Sequence, residues 1–547
     1  MLKLVTMSLY LCCCVSEQQK FTGGAVAADH PIASQVGVNI LKSGGNAVDA
    51  AVATSFALSV VRPFSCGIGG GGFMVIDSPD MEPVALNYRE TAPTLVGPTF
   101  FKEHSSRFGG TAVGVPGTVA GLLIAHKRYG TLTREQVLAP SIELAKKGFI
   151  PDKAYANALR SVLESLDKNP EHRSAASGML EVFNKTGRVM LTGQADVLQD
   201  ISSEGKSAFY EGNVANAIVQ ATDHHLSLKD LQQYKPRWEK PLTINIGDGM
   251  TIVSMPPPSS GGIAIGQIIG LLLRIGGDKL NRNDELYSHL LVESMKHAFA
   301  DRAEHLADAA FVDVPVDGLL DKVYLDSLAK RIDKKATSQK DSYGSVSAPP
   351  DDDGTSHLCV VDSDGMTVAV TETINTSFGS LVLVAPFDFI LNNEMDDFSS
   401  PSGTNVYGLR QSNKNLPAHG KRPLSSMSPT IVERDGIPIL VLGASGGPRI
   451  ITSVLQVLLN ILWFDDEPVD AVERTRVHHQ WLPECVYFEE STKDLSIELG
   501  LRSRGHTTAD RVGIGVVQVI EIDDGILKPA CDPRKGGQPA GIFPLSK

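Results

Sequence analysis

Apolar positions recur along this chain in two periods, and the switch between them divides it. Over residues 25–61 the pattern predicts two helices broken at Ser43-Gly44-Gly45. Val36, Ile40 and Leu41 have helical spacing, and Asn46 is placed to cap a second helix carrying Ala50, Ala51, Ala53 and Leu58. A strand follows at Phe73-Met74-Val75-Ile76, and a strand-like run covers 84–93. A helix is expected over 119–129, and the stretch 134–235 reads as mostly amphipathic helices with polar connectors. Met255-Pro256-Pro257-Pro258-Ser259-Ser260-Gly261-Gly262 breaks the pattern before helices at 263–273 and 286–308. The second of these has Leu290, Leu291, Met295, Ala298 and Phe299 on its inner face. Residues 334–354 have no period and read as a surface linker of about 20 residues, longer than most connections inside a domain.

At Thr355 the period becomes two. Thr355-Ser356-His357-Leu358-Cys359-Val360-Val361-Asp362 alternates, turns at Asp364-Gly365, and returns through Met366 to Thr373. Asp-Gly between alternating runs predicts a β-hairpin. Beyond it the chain is β-rich to Phe389, loop-rich over 396–421, and mixed to the end. Helices and strands in sequential blocks, with no internal repeat, suggest sheets sandwiched by helices and no second independent fold.

Composition narrows the function. The 547 residues are 42% hydrophobic and 21% charged, as in ordinary globular proteins. A formal net charge of −13 argues against a nucleic-acid partner, which wants a basic face. Of seven cysteines, Cys12, Cys13 and Cys14 cluster near the start. Cys66, Cys359, Cys485 and Cys531 are scattered, without zinc or disulfide-framework spacing, and read as small buried hydrophobes. The opening MLKLVTMSLYLCCCV has a lysine and an apolar run of about twelve residues, too short to span a bilayer and suited to a signal-peptide core. Export to the periplasm or the exterior is therefore expected. Leu11 disfavours lipid attachment at Cys12, since a small residue is wanted there.

Several motifs compete for the chemistry. Gly67, Gly69 and Gly72 satisfy G-x-G-x-x-G, but this run follows a helix and opens a strand, the reverse of a dinucleotide site; close backbone packing is the better use. Gly443-Ala444-Ser445-Gly446-Gly447 matches a nucleophile elbow in a strand–helix context, with His478 and His479 downstream at cramped spacing. The same diglycine could instead expose two backbone N–H groups as an oxyanion hole. His478-His479 lacks further ligands at metal spacing, and His224-His225 reads as a polar loop. Neither a metal nor a cofactor is expected. Thr355 is a poor nucleophile unless its own α-amino group, with a reference pKa of roughly 8, is freed beside it as general base. That requires cleavage after Gly354.

The run from Thr355 to Asp362, with Thr373-Ile374-Asn375 and Phe378-Gly379-Ser380, resembles the small-subunit start of the γ-glutamyltranspeptidases. The likeness continues through Asn392-Asn393-Glu394-Met395-Asp396-Asp397-Phe398, through Lys421-Arg422-Pro423-Leu424-Ser425-Ser426-Met427-Ser428-Pro429-Thr430, and through Gly446-Gly447. Upstream it includes Tyr88-Arg89-Glu90, Gly114-Val115-Pro116-Gly117 and the 256–262 turn, so that it covers the chain from around residue 21 to the end.

This resemblance implies an α+β fold of the N-terminal-nucleophile hydrolases, a four-layer αββα sandwich built from two autoprocessed subunits: a leader at 1–20, a large subunit at 21–354 and a small subunit at 355–547. It implies a γ-glutamyltransferase and glutathione hydrolase, with glutathione and other γ-glutamyl donors and with water, amino acids or dipeptides as acceptors. Thr355 would be the nucleophile and Thr373 its orienting partner; Gly446 and Gly447 would receive the oxyanion. Arg89, Ser425 and Ser426 would bind the substrate α-carboxylate, and Asn375, Glu394 and Asp397 its α-ammonium. Residues 399–422 resemble the lid loop of bacterial members, with Tyr407 as the gating aromatic. A glutaryl-type acylase of the same fold is the alternative, with less use for paired acids; a serine hydrolase at Ser445 and an unprocessed binding protein are more distant ones. Asp351-Asp352-Asp353-Gly354 is not a fixed family sequence, and Ser356 and Cys359 are variants.

Overall fold

The Asp364-Gly365 hairpin forms as expected and lies at the centre of the molecule. In the computed structural model, which describes residues 17–344, 354–399, 412–489 and 494–543, strand Gly354–Asp362 pairs antiparallel with Thr367–Asn375. Gly365 takes the left-handed conformation at φ 86°, and the Asp362 carboxylate accepts from the N–H groups of Asp364 and Met366. Both strands are buried on both faces. Leu358, Val360, Val368 and Val370 join one core, whereas Cys359, Val361 and Ala369 join the other. The period of two is therefore a choice between two cores, not between core and water.

The hairpin is the middle of a seven-stranded antiparallel sheet ordered Ala540–Gly541, Gly24–Ala28, Gly354–Asp362, Thr367–Asn375, Gly71–Ser78, Met81–Asn87, Arg237–Glu239. A six-stranded antiparallel sheet packs against it, ordered Ile526–Cys531, Val516–Asp523, Ile437–Ser445, Thr430–Arg434, Met250–Ser254, Leu242–Gly247. Helices Pro31–Lys42 and Ala47–Val61 cover the first sheet; Gly261–Ile275 and Arg449–Phe464 cover the second, with Glu285–His305 behind. This is the αββα sandwich. Helix Ala47–Val61 has no exposed polar face because it is buried all round, and Asn46 caps it in a reciprocal box with Asp49.

Some expectations are corrected. The stretch 25–61 is not helical throughout: Gly24–Ala28 is a strand paired with Gly354–Asp362, because short apolar residues buried on both sides carry no periodic signal. The 334–354 segment is not all surface linker. Tyr343 is buried, donating to Glu293, and the Trp481 indole N–H donates to the Lys340 carbonyl. Cys66 and Cys359 are buried, but Cys485 and Cys531 only partly; these four are free thiols. Residues 1–16 and Tyr407, with half of the expected lid, lie outside the described residues.

The glycine-rich run acts through closeness of backbones. A Cβ on Gly69 would meet the Ile390 carbonyl oxygen at 2.2 Å, and one on Gly70 would meet the Thr373 carbonyl oxygen at 2.1 Å. The loop before strand Gly71–Ser78 is thus pressed onto the strand bearing Thr373. Gly70→Ala is expected to lower stability by about 1–3 kcal/mol through overpacking. Calorimetry reads this directly, and an unchanged Tm would refute the close fit.

Candidate active site

Cleavage chemistry needs a carbonyl held against a hydroxyl, and the hairpin supplies this at its first residue. Pairing slips between Gly354 and Thr355: Gly354 lies opposite Asn375 and Thr355 opposite Thr373, leaving Ile374 as the extra residue of a bulge. Asn375 sits at φ 75°. The Thr373 hydroxyl donates to the Gly354 carbonyl oxygen at 2.6 Å and accepts from the Asn375 N–H at 2.8 Å. Having spent its proton on that carbonyl, it serves as acceptor for the Thr355 hydroxyl at 3.1 Å. A Cβ on Gly354 would lie 2.4 Å from the Thr376 backbone, so the residue before Thr355 has no room for a side chain.

Beside Thr355 opens a narrow pocket lined by Arg89, Thr373, Glu394, Asp397, Ser425, Ser426 and Gly447. Arg89 reaches it from the end of strand Met81–Asn87 and is 1% exposed. Its Nε donates to the Pro423 carbonyl and its Nη2 to the Leu424 carbonyl, so the 421–430 motif wraps the guanidinium. Its remaining contacts are carboxylates: Glu394 at 2.5 Å and Asp397 at 2.5 Å. Both acids stand on the 3-10 turn Glu394–Asp397. Burial opposes the Arg89 charge, yet the two acids raise its pKa overall. Burial also raises the Glu394 carboxyl above the usual carboxylate range, with Arg89 pulling the other way.

Ser425 and Ser426 precede strand Thr430–Arg434 and are pinned by the 256–262 turn. The Ser425 N–H donates to the Pro258 carbonyl, and Ser260 donates twice to the Ser425 carbonyl. Asn375 stands apart from the pocket lining. Its amide nitrogen donates to the Asn393 carbonyl, and its Oδ1 is buried without a partner among the described residues. Gly446 and Gly447 join strand Ile437–Ser445 to helix Arg449–Phe464 at φ 125° and 57°. Gly447 lines the pocket, and Gly446, next to it, lines a larger cavity.

Comparison with known proteins gives the family. The family model described as Gamma-glutamyltranspeptidase matches residues 33–542. The chain belongs to the gamma-glutamyltranspeptidase family. It is 39% identical to the glutathione hydrolase proenzyme of Escherichia coli (strain K12), covering 93% of this chain and 90% of that one. It is 40% identical to that of Pseudomonas aeruginosa, covering 94% of each. Among solved structures, the cephalosporin acylase of Bacillus halodurans superposes with a TM-score of 0.86 at 25% identity, over 99% of this chain and 100% of that one. A gamma-glutamyltranspeptidase from Pseudomonas nitroreducens complexed with L-DON is 36% identical with a TM-score of 0.55, over 59% of this chain and 98% of that one. Membership makes the chain an enzyme of transferase and hydrolase type with the N-terminal-nucleophile fold.

The competing motifs dissolve in three dimensions. Ser445 is buried at a strand end, 3.5 Å from Lys535, and among the described residues no histidine hydrogen-bonds it. His478 is bonded to Thr452 and Gln480, and His479 accepts from the Trp481 N–H. Both rings are spent on core hydrogen bonds, and burial pushes their pKa values down. Sequence reasoning missed two residues. Lys535, 180 positions from Thr355, donates to the Thr355 carbonyl at 2.5 Å and to Asp29 at 2.7 Å. Arg302 lines the pocket from helix Glu285–His305. The Lys535 sequence neighbourhood, Pro533-Arg534-Lys535-Gly536, has no motif beyond a charged turn.

Arg89 carries more than a ligand role, because removing it strands Glu394 and Asp397 in the interior. Arg89→Gln is expected to cost about 3–5 kcal/mol of stability, as for a broken buried ion pair, besides any loss of binding. Thermal unfolding of the variant tests this, and a Tm within a degree of the wild type would contradict it.

Proposed function

We propose that the chain is a precursor that cleaves itself between Gly354 and Thr355 and then acts as a γ-glutamyltransferase and glutathione hydrolase, with Thr355 as the N-terminal nucleophile. The single observation that carries this reading is the shared Thr373 hydroxyl, which bonds the scissile carbonyl and the Thr355 hydroxyl at once. In the precursor the Thr355 hydroxyl attacks the Gly354 carbonyl, which Thr373 polarises. After an N–O acyl shift and hydrolysis of the ester, residues 21–354 and 355–547 are separate chains of one folded unit, and the new α-amino group is the general base.

In turnover Thr355 attacks the γ-glutamyl carbonyl, and the tetrahedral oxyanion is received by the N–H groups of Gly446 and Gly447. The leaving amine, such as cysteinylglycine, takes the proton. Water, or the amine of an amino acid or dipeptide, then attacks the ester. The glutamyl head is a zwitterion, and the empty pocket is self-neutralising in the same sense. Its α-carboxylate replaces the acids as the partner of Arg89 and meets Ser425 and Ser426. Its α-ammonium is held by Glu394 and Asp397, with Asn375 Oδ1 nearby as an unfilled acceptor. An acylase with a glutaryl donor would leave both acids without a cation from the substrate, which favours the γ-glutamyl reading. Tyr407 gates the pocket in this proposal, and the apolar leader directs export.

Thr355→Ala is expected to run on a denaturing gel as one chain of 58.5 kDa without activity on a γ-glutamyl anilide, while the wild type runs as two. An intact wild-type chain with full activity would sink the proposal. The N-terminal sequence of the large fragment, read from the same gel, shows whether the leader has been removed.

Glu394 binds an ammonium group only when ionised, and its carboxyl is raised by burial. The donor KM is therefore expected to fall as pH rises from acid into mildly alkaline solution. In Glu394→Gln that dependence should vanish while the Thr355 amine still shapes the kcat profile. A pH-dependent KM that survives the substitution would remove Glu394 from this role.

A further inference from the structure

The pocket holds a second arginine that none of the motif residues accounts for. Arg302 is 3% exposed and sits in the last turn of helix Glu285–His305. Its Nε donates to Ser260 Oγ at 2.8 Å and its Nη2 to Ser426 Oγ at 2.9 Å. Its Nη1 is buried with no hydrogen-bond partner among the described residues, and the residue lines the same pocket as Thr355 and Arg89. A buried guanidinium nitrogen left without an acceptor costs stability, and its place in the pocket wall points to a ligand. Burial draws its pKa down to about 10, so it is charged at neutral pH. Arg89, by contrast, has its donors committed to two carbonyls and two carboxylates.

We infer that Arg302 is a specificity-determining residue for the substrate α-carboxylate: its free Nη1 receives one carboxylate oxygen, and its Nη2 fixes the Ser426 hydroxyl as acceptor so that the Ser426 proton points to the other. The inference rests on the γ-glutamyl reading of the pocket. Four charged side chains then match the head group, two cations and two acids, so a zwitterion enters without adding net charge. Arg302 also explains why the 256–262 turn and Ser425-Ser426 are tied together. Ser260 accepts from Arg302 and donates to the Ser425 carbonyl, which places the arginine and both serines on one rigid unit.

The test compares a γ-glutamyl anilide with the same anilide carrying an α-carboxamide, measuring kcat/KM or, where turnover is too slow, the inhibition constant. Maturation is checked on a gel. Arg302→Gln is expected to lower kcat/KM for the carboxylate donor about 10- to 100-fold, the scale of a lost hydrogen bond to a charged group, and to leave the carboxamide within about threefold. Arg302→Lys should recover part of the difference. Equal losses on both donors would make Arg302 a strut and overturn the inference. Should neither variant mature, Ser260→Ala, which frees Arg302 without deleting it, carries the test: a smaller loss confined to the carboxylate donor supports the inference, and equal or no loss refutes it. A wild type that does not prefer the carboxylate donor would instead refute the γ-glutamyl reading itself.

Discussion

One hydroxyl group holds the reacting parts in register. Thr373 gives its proton to the Gly354 carbonyl and accepts from both the Asn375 N–H and the Thr355 hydroxyl. Everything around it serves to keep that geometry. Gly70 lets a second backbone press on the Thr373 carbonyl, Gly354 has no side chain because the Thr376 backbone occupies its place, and the bulge at Ile374 brings Thr373 level with Thr355. The hairpin can be held so tightly because it is buried on both faces, between a helix layer and a second sheet.

The second constraint is electrostatic. Charges buried as deeply as Arg89 and Glu394 are tolerated only when paired, and each is paired with the other. That pairing holds the pocket together, and in the proposed function it sets the condition for entry: a ligand must bring a cation for the acids and an anion for the arginine. A substrate with a single charge leaves one buried group uncompensated. Under the proposed function, selectivity for a zwitterionic head follows from desolvation as much as from attraction.

The two sheets divide the work. The seven-stranded sheet carries Thr355, Thr373 and, at the end of Met81–Asn87, Arg89; the six-stranded sheet brings Ser425, Ser426 and the diglycine loop on the ends of its strands. Lys535 closes the assembly from near the C-terminus by holding the Thr355 carbonyl. That contact ties the start of the hairpin to a turn 180 positions further along the chain.

Local chemistry along the chain determined a good deal. The Asp364-Gly365 hairpin, the Asn46 cap, the helices after 261 and 285 and the glycine run all form as their residues dictate, because turns, caps and periods are properties of neighbours in sequence. The motifs from Arg89 to Gly447 were legible only through their resemblance to a known family; taken alone, Arg89 reads as a surface or ion-pair residue and Glu394 and Asp397 as solvated acids. Strand Gly24–Ala28 was not legible, because a strand buried on both sides has no polar face to mark it. Arg302 and Lys535 were not, because their roles arise from contacts across 124 and 180 positions that no local pattern encodes. Nor could the sequence show that Arg89 is already paired with the acids assigned to the substrate's other end. Only the packing of the two sheets decided that, by burying Arg89 and Glu394 together with Asp397 at the half-buried edge.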